Sequence, residues 1–112
     1  MNNYFNHIPK IEYKGTEDND PLSFKYYNEN QIVLGKSMKE HLRFAICYWH
    51  SFTWPGLDPF GGPTLERPWM KKGDPIEKAK EKLNEAFDFF TKITTPYFCF
   101  HDRDISPEGI NY

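Results

Sequence analysis

The hydrophobic pattern of the chain contains a nearly continuous apolar run followed by a stretch with helical spacing. Residues 42–52 are apolar at most positions, which fits a parallel strand covered on both faces. Side chains alternate across such a strand, so the larger ones would pack under a helix layer and the smaller ones would face the other side. The larger set is Leu42, Phe44, Ile46 and Tyr48, and the smaller set is Ala45, Cys47 and Trp49. We predict a first strand over 42–52.

A helix start signal stands at residue 74. Asp74 is a suitable N-cap, Pro75 fits the first turn, and Glu77 completes a capping-box pattern. Apolar side chains then recur every three or four residues, and charged side chains take the other side. The apolar positions are Ile76, Ala79, Leu83, Ala86, Phe87, Phe90 and Ile93, and the charged ones are Lys78, Glu81, Lys82 and Glu85. We predict an amphipathic helix that ends near Thr94.

A short β-rich run follows this helix. Pro96 blocks the helix from continuing, and residues 97–100 suit a second strand. Strand, loop, helix and strand in this order form a βαβ unit, in which the strands are parallel and the crossover is right-handed. The predicted fold class is therefore α/β.

The amino-terminal third has a weaker pattern. Residues 1–36 are polar and carry only short alternating pieces, at 11–13 and 23–27, which predict an irregular amino-terminal extension. Ser37 and Glu40 then form a capping-box pattern that predicts a brief helical turn.

Residues 53–73 are predicted to form a long loop, because they contain four of the nine prolines and four of the seven glycines. Loops of this length inside a compact domain are usually functional or disordered, and the aromatic residues Trp54, Phe60 and Trp69 favour a function. Phe60 stands in the turn sequence Asp58-Pro59-Phe60-Gly61, which would hold its ring away from the scaffold. The ring either folds back on its own loop or inserts into another subunit.

Composition excludes several classes of protein. With 14 Lys plus Arg against 16 Asp plus Glu, the chain has a net charge of −2 and no basic face for nucleic acid. It has neither a signal-peptide pattern nor an apolar run near the roughly 20 residues that span a bilayer. Cys47 and Cys99 lie in apolar segments, which is typical of free, buried thiols in a reducing compartment. These features predict a soluble, cytoplasmic protein with no nucleic-acid or membrane partner.

His101 is the strongest candidate for chemistry. It stands at the carboxyl end of the second strand, where parallel α/β sheets bind ligands, and it shares the inward face with Cys99. Asp104 is close enough to accept a hydrogen bond from one imidazole nitrogen and fix the tautomer, which would make a proton-transfer pair. The alternative is a histidine that only caps the strand, with Asp102 and Asp104 as turn residues. A metal site at these three residues is less favoured, because ligands clustered in one loop lack the spread-out carboxylates that a hard cation needs.

Trp49 is the second candidate. It is predicted to face inward at the end of the first strand, where a flat apolar ring can stack on a sugar or exclude water. Ordinary core packing is the alternative. His50 points outward by the same count, and His7 and His41 have no companions at useful spacing.

Several separate motifs resemble xylose isomerase. They are Glu40-His41-Leu42-Arg43-Phe44, Tyr48-Trp49-His50, Asp58-Pro59-Phe60-Gly61, Glu66-Arg67-Pro68-Trp69 and Tyr97-Phe98-Cys99-Phe100-His101-Asp102-Arg103-Asp104. They occur in the family's order, and Asn3-Tyr4-Phe5 and Ile11-Glu12-Tyr13-Lys14-Gly15 resemble the extension of its longer-amino-terminus subgroup. The resemblance covers only the amino-terminal part of the sequences in this family. It implies that 37–112 holds the first two strands and first helix of a TIM (β/α)8 barrel, truncated, after the 1–36 extension.

The resemblance also implies roles for four residues. His101 would match the active-site histidine that bonds the sugar ring oxygens and assists ring opening. Asp104 would match the carboxylate that orients this histidine. Trp49 would match the tryptophan that walls the substrate pocket, and Phe60 the phenylalanine that reaches into a neighbouring subunit's active site.

The implied reaction converts D-xylose to D-xylulose, and often D-glucose to D-fructose, by a hydride shift that two divalent ions (Mg, Mn or Co) assist. The ligands of these ions belong to later strands of the barrel. This chain is therefore expected to bind no metal and to be inactive by itself. The full-length protein is expected to form a homotetramer. The alternative is a non-catalytic sugar-binding module, in which Trp49, Trp54, Phe60 and Trp69 form an aromatic platform.

Overall fold

The computed structural model describes residues 3–111, so what the sequence predicts for residues 1, 2 and 112 lies outside the described part. In chain order the elements are strands β1 (Ile32–Val33) and β2 (Lys36–Ser37), helix α1 (Met38–His41), strand β3 (Ala45–Cys47), a π-helical turn (Trp49–Thr53), a 3₁₀ turn (Pro68–Met70), helix α2 (Pro75–Lys92), strand β4 (Tyr97–Cys99) and helix α3 (Asp102–Ile105).

Strands β3 and β4 pair in parallel, with Ile46 opposite Phe98, and α2 connects them. The predicted order of strand, loop, helix and strand is confirmed, and it agrees with the α/β class. Strands β1 and β2 form a separate antiparallel hairpin. Ser37 then begins α1, where its backbone N–H donates to the Glu40 carboxylate at 2.7 Å, as the capping pattern predicts.

The first strand is shorter than predicted. β3 ends at Cys47, and the chain turns at Tyr48 into the π-helical turn that contains Phe52. The rings of Tyr48 and Phe52 lie 5.4 Å apart, and both are buried. In an extended strand these two residues would stand about 13 Å apart, too far for both rings to join one small core. Packing of the two aromatic rings therefore favours a helical turn over the continued strand that the apolar run predicts.

Helix α2 follows the prediction closely. The Asp74 carboxylate accepts from the backbone N–H groups of Ile76 and Glu77, both at 3.0 Å. The helix ends at Lys92, close to the predicted end at Thr94. Its apolar side contributes Ala86 and Phe90 to a buried cluster that is completed by Tyr48, Phe52 and Trp69.

The amino-terminal extension packs on this helix. Ile11 donates its backbone N–H to the carbonyl of Lys92 at 2.7 Å, and the ring of Phe5 lies 5.4 Å from that of Phe89. The two alternating pieces also meet, through a parallel bridge between Tyr13 and Phe24. The division of the chain at residue 36 stays a prediction. Within residues 3–111, no helix combines the length and hydrophobicity that a membrane crossing requires.

Candidate functional site

The carboxyl ends of the two parallel strands carry the predicted site residues. Trp49 is the first residue of the π-helical turn after β3, and His101 is the N-cap of α3 after β4. Because β3 and β4 are neighbours in register, their ends lie side by side. The ring centroids of Trp49 and His101 are 4.7 Å apart, with the planes inclined at 48°. The fold thus joins two residues that are far apart in the sequence.

Asp104 completes this group from one helical turn away. Its Oδ2 lies 3.0 Å from Nδ1 of His101 and also accepts the backbone N–H of His101 at 2.8 Å. The Asp104 side chain is 9% exposed, whereas that of His101 is 68% exposed. The same carboxylate thus caps the short helix α3 and contacts the imidazole, and the choice between a proton-transfer pair and a histidine that only caps the strand stays a prediction.

This geometry determines which imidazole nitrogen is available for chemistry. A buried carboxylate beside Nδ1 favours the tautomer in which Nδ1 carries the hydrogen. Nε2 is then left as the nitrogen that can exchange a proton with a ligand. The arrangement can therefore act as a general acid–base pair with an aromatic ring beside it.

The sequence analysis did not select Tyr48, which precedes Trp49, or Lys82 of α2 as site residues. Tyr48 is completely buried, and this burial, with a further contribution from the negative charge of Asp104, raises its pKa to about 12. The Nζ of Lys82 lies 5.5 Å from the centroid of the Tyr48 ring and donates to Oγ1 of Thr53 at 3.3 Å. Burial lowers the pKa of Lys82, and the charge of Asp104 opposes this shift.

The placement of Lys82 corrects its assignment to the charged, solvent-facing side of the helix. A signal for the inner position was present in the sequence. Lys82 follows Ala79 by three residues and precedes Ala86 by four, which is the spacing of a shared helix face. The structure also corrects Glu85, which is 3% exposed rather than on the solvent side.

Phe60 lies on a separate turn. The Asp58 carboxylate accepts from the backbone N–H groups of Phe60 at 2.8 Å and Gly62 at 3.3 Å, which holds this turn closed. Phe60 is 97% exposed, so it does not fold back on its own loop. Within this chain it is not part of the group formed by Trp49, His101 and Asp104.

Arg67 and Trp69 fix the long loop to the rest of the chain. Arg67 donates from Nε to the carbonyl of Trp54 and from Nη2 to that of His50, both at 3.2 Å. Trp69 is 6% exposed, and its Nε1–H donates to the carbonyl of Phe52 at 2.7 Å. Trp69 is therefore a core residue, and the predicted four-residue aromatic platform is wrong in including it.

Potential metal ligands do not cluster in the described part of the chain. Among residues 3–111 there is no group of three or more His, Cys, Asp or Glu side chains that could hold a metal ion. Cys47 and Cys99 are free thiols on paired strand positions, with their Sγ atoms 3.9 Å apart, and Cys99 is exposed rather than buried. The described residues thus do not fit the pair of divalent ions that the resemblance implies for the family.

Comparison with curated proteins identifies the relatives of the chain. It is 56% identical over 109 residues to a xylose isomerase from Pseudoalteromonas atlantica, and these residues cover 97% of the chain. It is 54% identical over 108 residues to a xylose isomerase from Caldanaerobacter subterraneus subsp. yonseiensis. It is also 54% identical over all 112 residues to a xylose isomerase from Actinobacillus pleuropneumoniae.

The chain is a relative of the xylose isomerases. This confirms the family resemblance that the sequence motifs indicate. The chain spans about a quarter of the length of the curated xylose isomerases it matches, 25% for that of Pseudoalteromonas atlantica. No protein-family model matches the chain.

Proposed function

We propose that this chain forms the amino-terminal part of a xylose isomerase and supplies residues that open the sugar ring. Its parallel strands β3 and β4 would be the first two strands of a TIM barrel. The observation that carries the proposal is the contact between Nδ1 of His101 and Oδ2 of Asp104, at 3.0 Å, beside the ring of Trp49. The identity of 53–56% to xylose isomerases over nearly the whole chain supports the same function.

His101 acts on the cyclic form of the sugar in this proposal. Its Nε2 takes the proton of the anomeric hydroxyl while the bond between the anomeric carbon and the ring oxygen breaks, and it then returns that proton to the ring oxygen. The buried Asp104 carboxylate accepts from Nδ1–H throughout and stabilises the transient imidazolium. Trp49 covers one side of the sugar and limits access of water to it.

The hydride shift is assigned to groups outside this chain. The xylose isomerase reaction implied by the resemblance uses two divalent ions, and the described residues contain no cluster that fits them. We therefore propose that the chain has no isomerase activity by itself, whichever of Mg, Mn or Co is added.

Phe60 serves a neighbouring copy rather than its own site. Its ring is almost fully exposed on a turn that the Asp58 carboxylate holds rigid, which suits insertion into another subunit. The whole enzyme would then be a cytoplasmic homotetramer that acts on D-xylose, and also on D-glucose.

A chimeric enzyme tests this proposal. The segment of the Pseudoalteromonas atlantica xylose isomerase that aligns with this chain would be replaced by the chain, and conversion of D-xylose to D-xylulose would be measured with added magnesium. We expect activity from the chimera and none from the 112-residue chain alone. A folded, tetrameric, metal-binding chimera without turnover would refute the proposed role. Turnover by the isolated chain would refute the assignment of the hydride shift to groups outside it.

A further inference from the structure

Two free thiols stand side by side at the carboxyl end of the parallel ladder. Cys47 is the last residue of β3, Cys99 is the last residue of β4, and the two are register partners. Their Sγ atoms lie 3.9 Å apart. The pairing of the strands, rather than closeness in the sequence, therefore brings these thiols together.

The positions of the two cysteines are compatible with a disulfide bond. Neighbouring strands lie about 4.8 Å apart, and disulfides join residues whose Cα atoms are about 4.4–6.8 Å apart. The sulfur atoms must approach from 3.9 Å to the bond length of about 2.05 Å, which rotation about the two Cα–Cβ bonds can supply. The strands can therefore keep their pairing when the bond forms.

The surroundings of the thiols favour oxidation over metal binding. Within residues 3–111 no group of three or more potential ligands could hold a metal ion, so the thiols lack the further ligands of a structural zinc site. Sγ of Cys99 also lies 3.6 Å from the carbonyl oxygen of Ile46, which is a weak contact. Cys99 is exposed, whereas Cys47 is half-buried. A small oxidant in solution therefore meets Cys99 first.

We propose that Cys47 and Cys99 form a redox modification site, at which a small-molecule disulfide such as oxidised glutathione produces an internal disulfide between β3 and β4. The Cys99 thiolate attacks one sulfur of the small disulfide and displaces its first thiolate, which leaves a mixed disulfide. The Cys47 thiolate then attacks Sγ of Cys99 and displaces the second thiolate. The two protons of the protein thiols pass to the two released thiolates, and two electrons pass from the protein dithiol to the small disulfide.

The bond would join the two strands just before the candidate site. Trp49 and His101 each follow one of the two cysteines by two residues. An oxidised chain would therefore keep the ends of β3 and β4 together even when the hydrogen bonds of the ladder open. An exposed disulfide is of the readily reduced, regulatory kind, so the change is reversible. Formation of the bond does not depend on the proposed function, because neither sugar nor metal takes part.

Equilibration of the 112-residue chain with mixtures of reduced and oxidised glutathione tests the proposal. Mass spectrometry after an acid quench should show a monomer that is about 2 Da lighter than the reduced chain, with the two cysteines in one linked peptide. The effective concentration of one thiol at the other should be at least about tenfold higher in the folded chain than in concentrated guanidinium chloride, because the ladder holds the pair together.

Serine variants serve as controls. Cys47→Ser should stop at the mixed disulfide on Cys99, and Cys99→Ser should react more slowly, because Cys47 is half-buried. The decisive measurements use the wild-type chain, so a variant that fails to fold does not affect them. The proposal is overturned if a mixed disulfide or a disulfide-linked dimer is the main wild-type product. It is also overturned by an effective concentration that is no higher in the fold than in denaturant. An inactive chimera whose chain still forms the internal bond would refute the proposed function alone.

Discussion

The backbone N–H of Tyr4 donates to the carboxylate of Glu85 at 3.0 Å, although 81 residues separate the two in the sequence. Glu85 is buried on α2, and the ring of Tyr4 meets the edge of Trp69 with centroids 6.0 Å apart. This contact joins the extension to the helix and to the core beneath the site. A buried glutamate on the helix is thus a docking point for the start of the chain.

Glu85→Ala should loosen the attachment of Tyr4 to α2, while the contacts of Phe5 and Ile11 with this helix remain. The Tyr4 N–H loses this acceptor, and the expected loss of stability is about 1–3 kcal/mol. Hydrogen exchange at the Tyr4 amide should become faster, while that of the α2 amides changes little. Glu77→Ala is the control, because Glu77 is exposed and makes only a surface ion pair with Lys80. Equal protection of Tyr4 in Glu85→Ala and wild type would contradict the docking role.

Replacement of His101 by Gln in the chimera should slow ring opening. Loss of general acid–base assistance is expected to lower the rate on cyclic sugar by about a hundred- to ten-thousand-fold. Asp104→Asn should have a smaller effect in the same direction, because an amide still accepts the His101 backbone N–H but no longer fixes the tautomer. Rates on separate cyclic anomers and the affinity for magnesium are measured for each variant. A collapse of metal affinity with unchanged anomer preference would mean that His101 has a structural or metal-related role.

Tyr48 should make the fold sensitive to alkali. Its pKa is about 12 in the fold, above the ordinary 10.0, so the fold favours the protonated phenol. The stability that this provides is complete below pH 10 and is lost as the pH rises through 12. Tyr48→Phe should therefore lose less stability than wild type between pH 10 and 12, as measured by chemical unfolding at several pH values. At pH 7 the change should cost little, since the Tyr48 hydroxyl has no hydrogen-bond partner among the described residues.

The control for the alkaline experiment is Tyr26→Phe. Tyr26 is 86% exposed, so its removal should leave the pH dependence of wild type unchanged. Parallel stability curves for Tyr48→Phe and wild type above pH 10 would show that the Tyr48 phenol ionises as easily in the fold as in the unfolded chain.

Phe60 and Trp69 belong to the same loop but should respond in opposite ways to truncation. Phe60→Ala should change the stability of the chain by less than about 0.5 kcal/mol, because the side chain is exposed. In the tetrameric chimera the same change should raise the KM for D-xylose. Trp69→Ala should instead cost about 3–5 kcal/mol, because it empties part of the core. An unchanged KM in Phe60→Ala would refute insertion of Phe60 into a neighbouring site.

Local signals predict α2 and β4 well. Asp74 and Pro75 define the helix start through contacts within one turn, and Pro96 separates the helix from the strand at once. Contacts between His101 and Asp104 are also local, since the two residues are one helical turn apart. Capping and helix termination depend on residues that are neighbours in the sequence, so they can be predicted from a single sequence.

Contacts between distant segments account for the errors. The apolar run over 42–52 is compatible with a strand or with a buried turn. Packing of the Phe52 ring against that of Trp69, with centroids 5.7 Å apart, favours the turn. Glu85 is charged, so its burial depends on the hydrogen bond that it accepts from the backbone N–H of Tyr4, 81 residues away in the sequence. Lys82 is half-buried against the ring of Tyr48 for a similar reason. Periodicity alone gives no indication of which partner segment will cover a polar residue.

The parallel pairing of Cys47 with Cys99 has a consequence for the order in which the molecule assembles. These partners are 52 residues apart, and each strand has only three residues to offset the entropy of closing so large a loop. The hydrogen bonds of helix α2 join residues that are close in the sequence, so the helix can form within about 0.1–1 μs. Its Phe90 then offers a surface on which the ring of Phe98 stacks at 5.1 Å. We therefore expect the two-stranded ladder to form last and to be lost first on unfolding, and the juxtaposition of Trp49 and His101 to be made and lost with it.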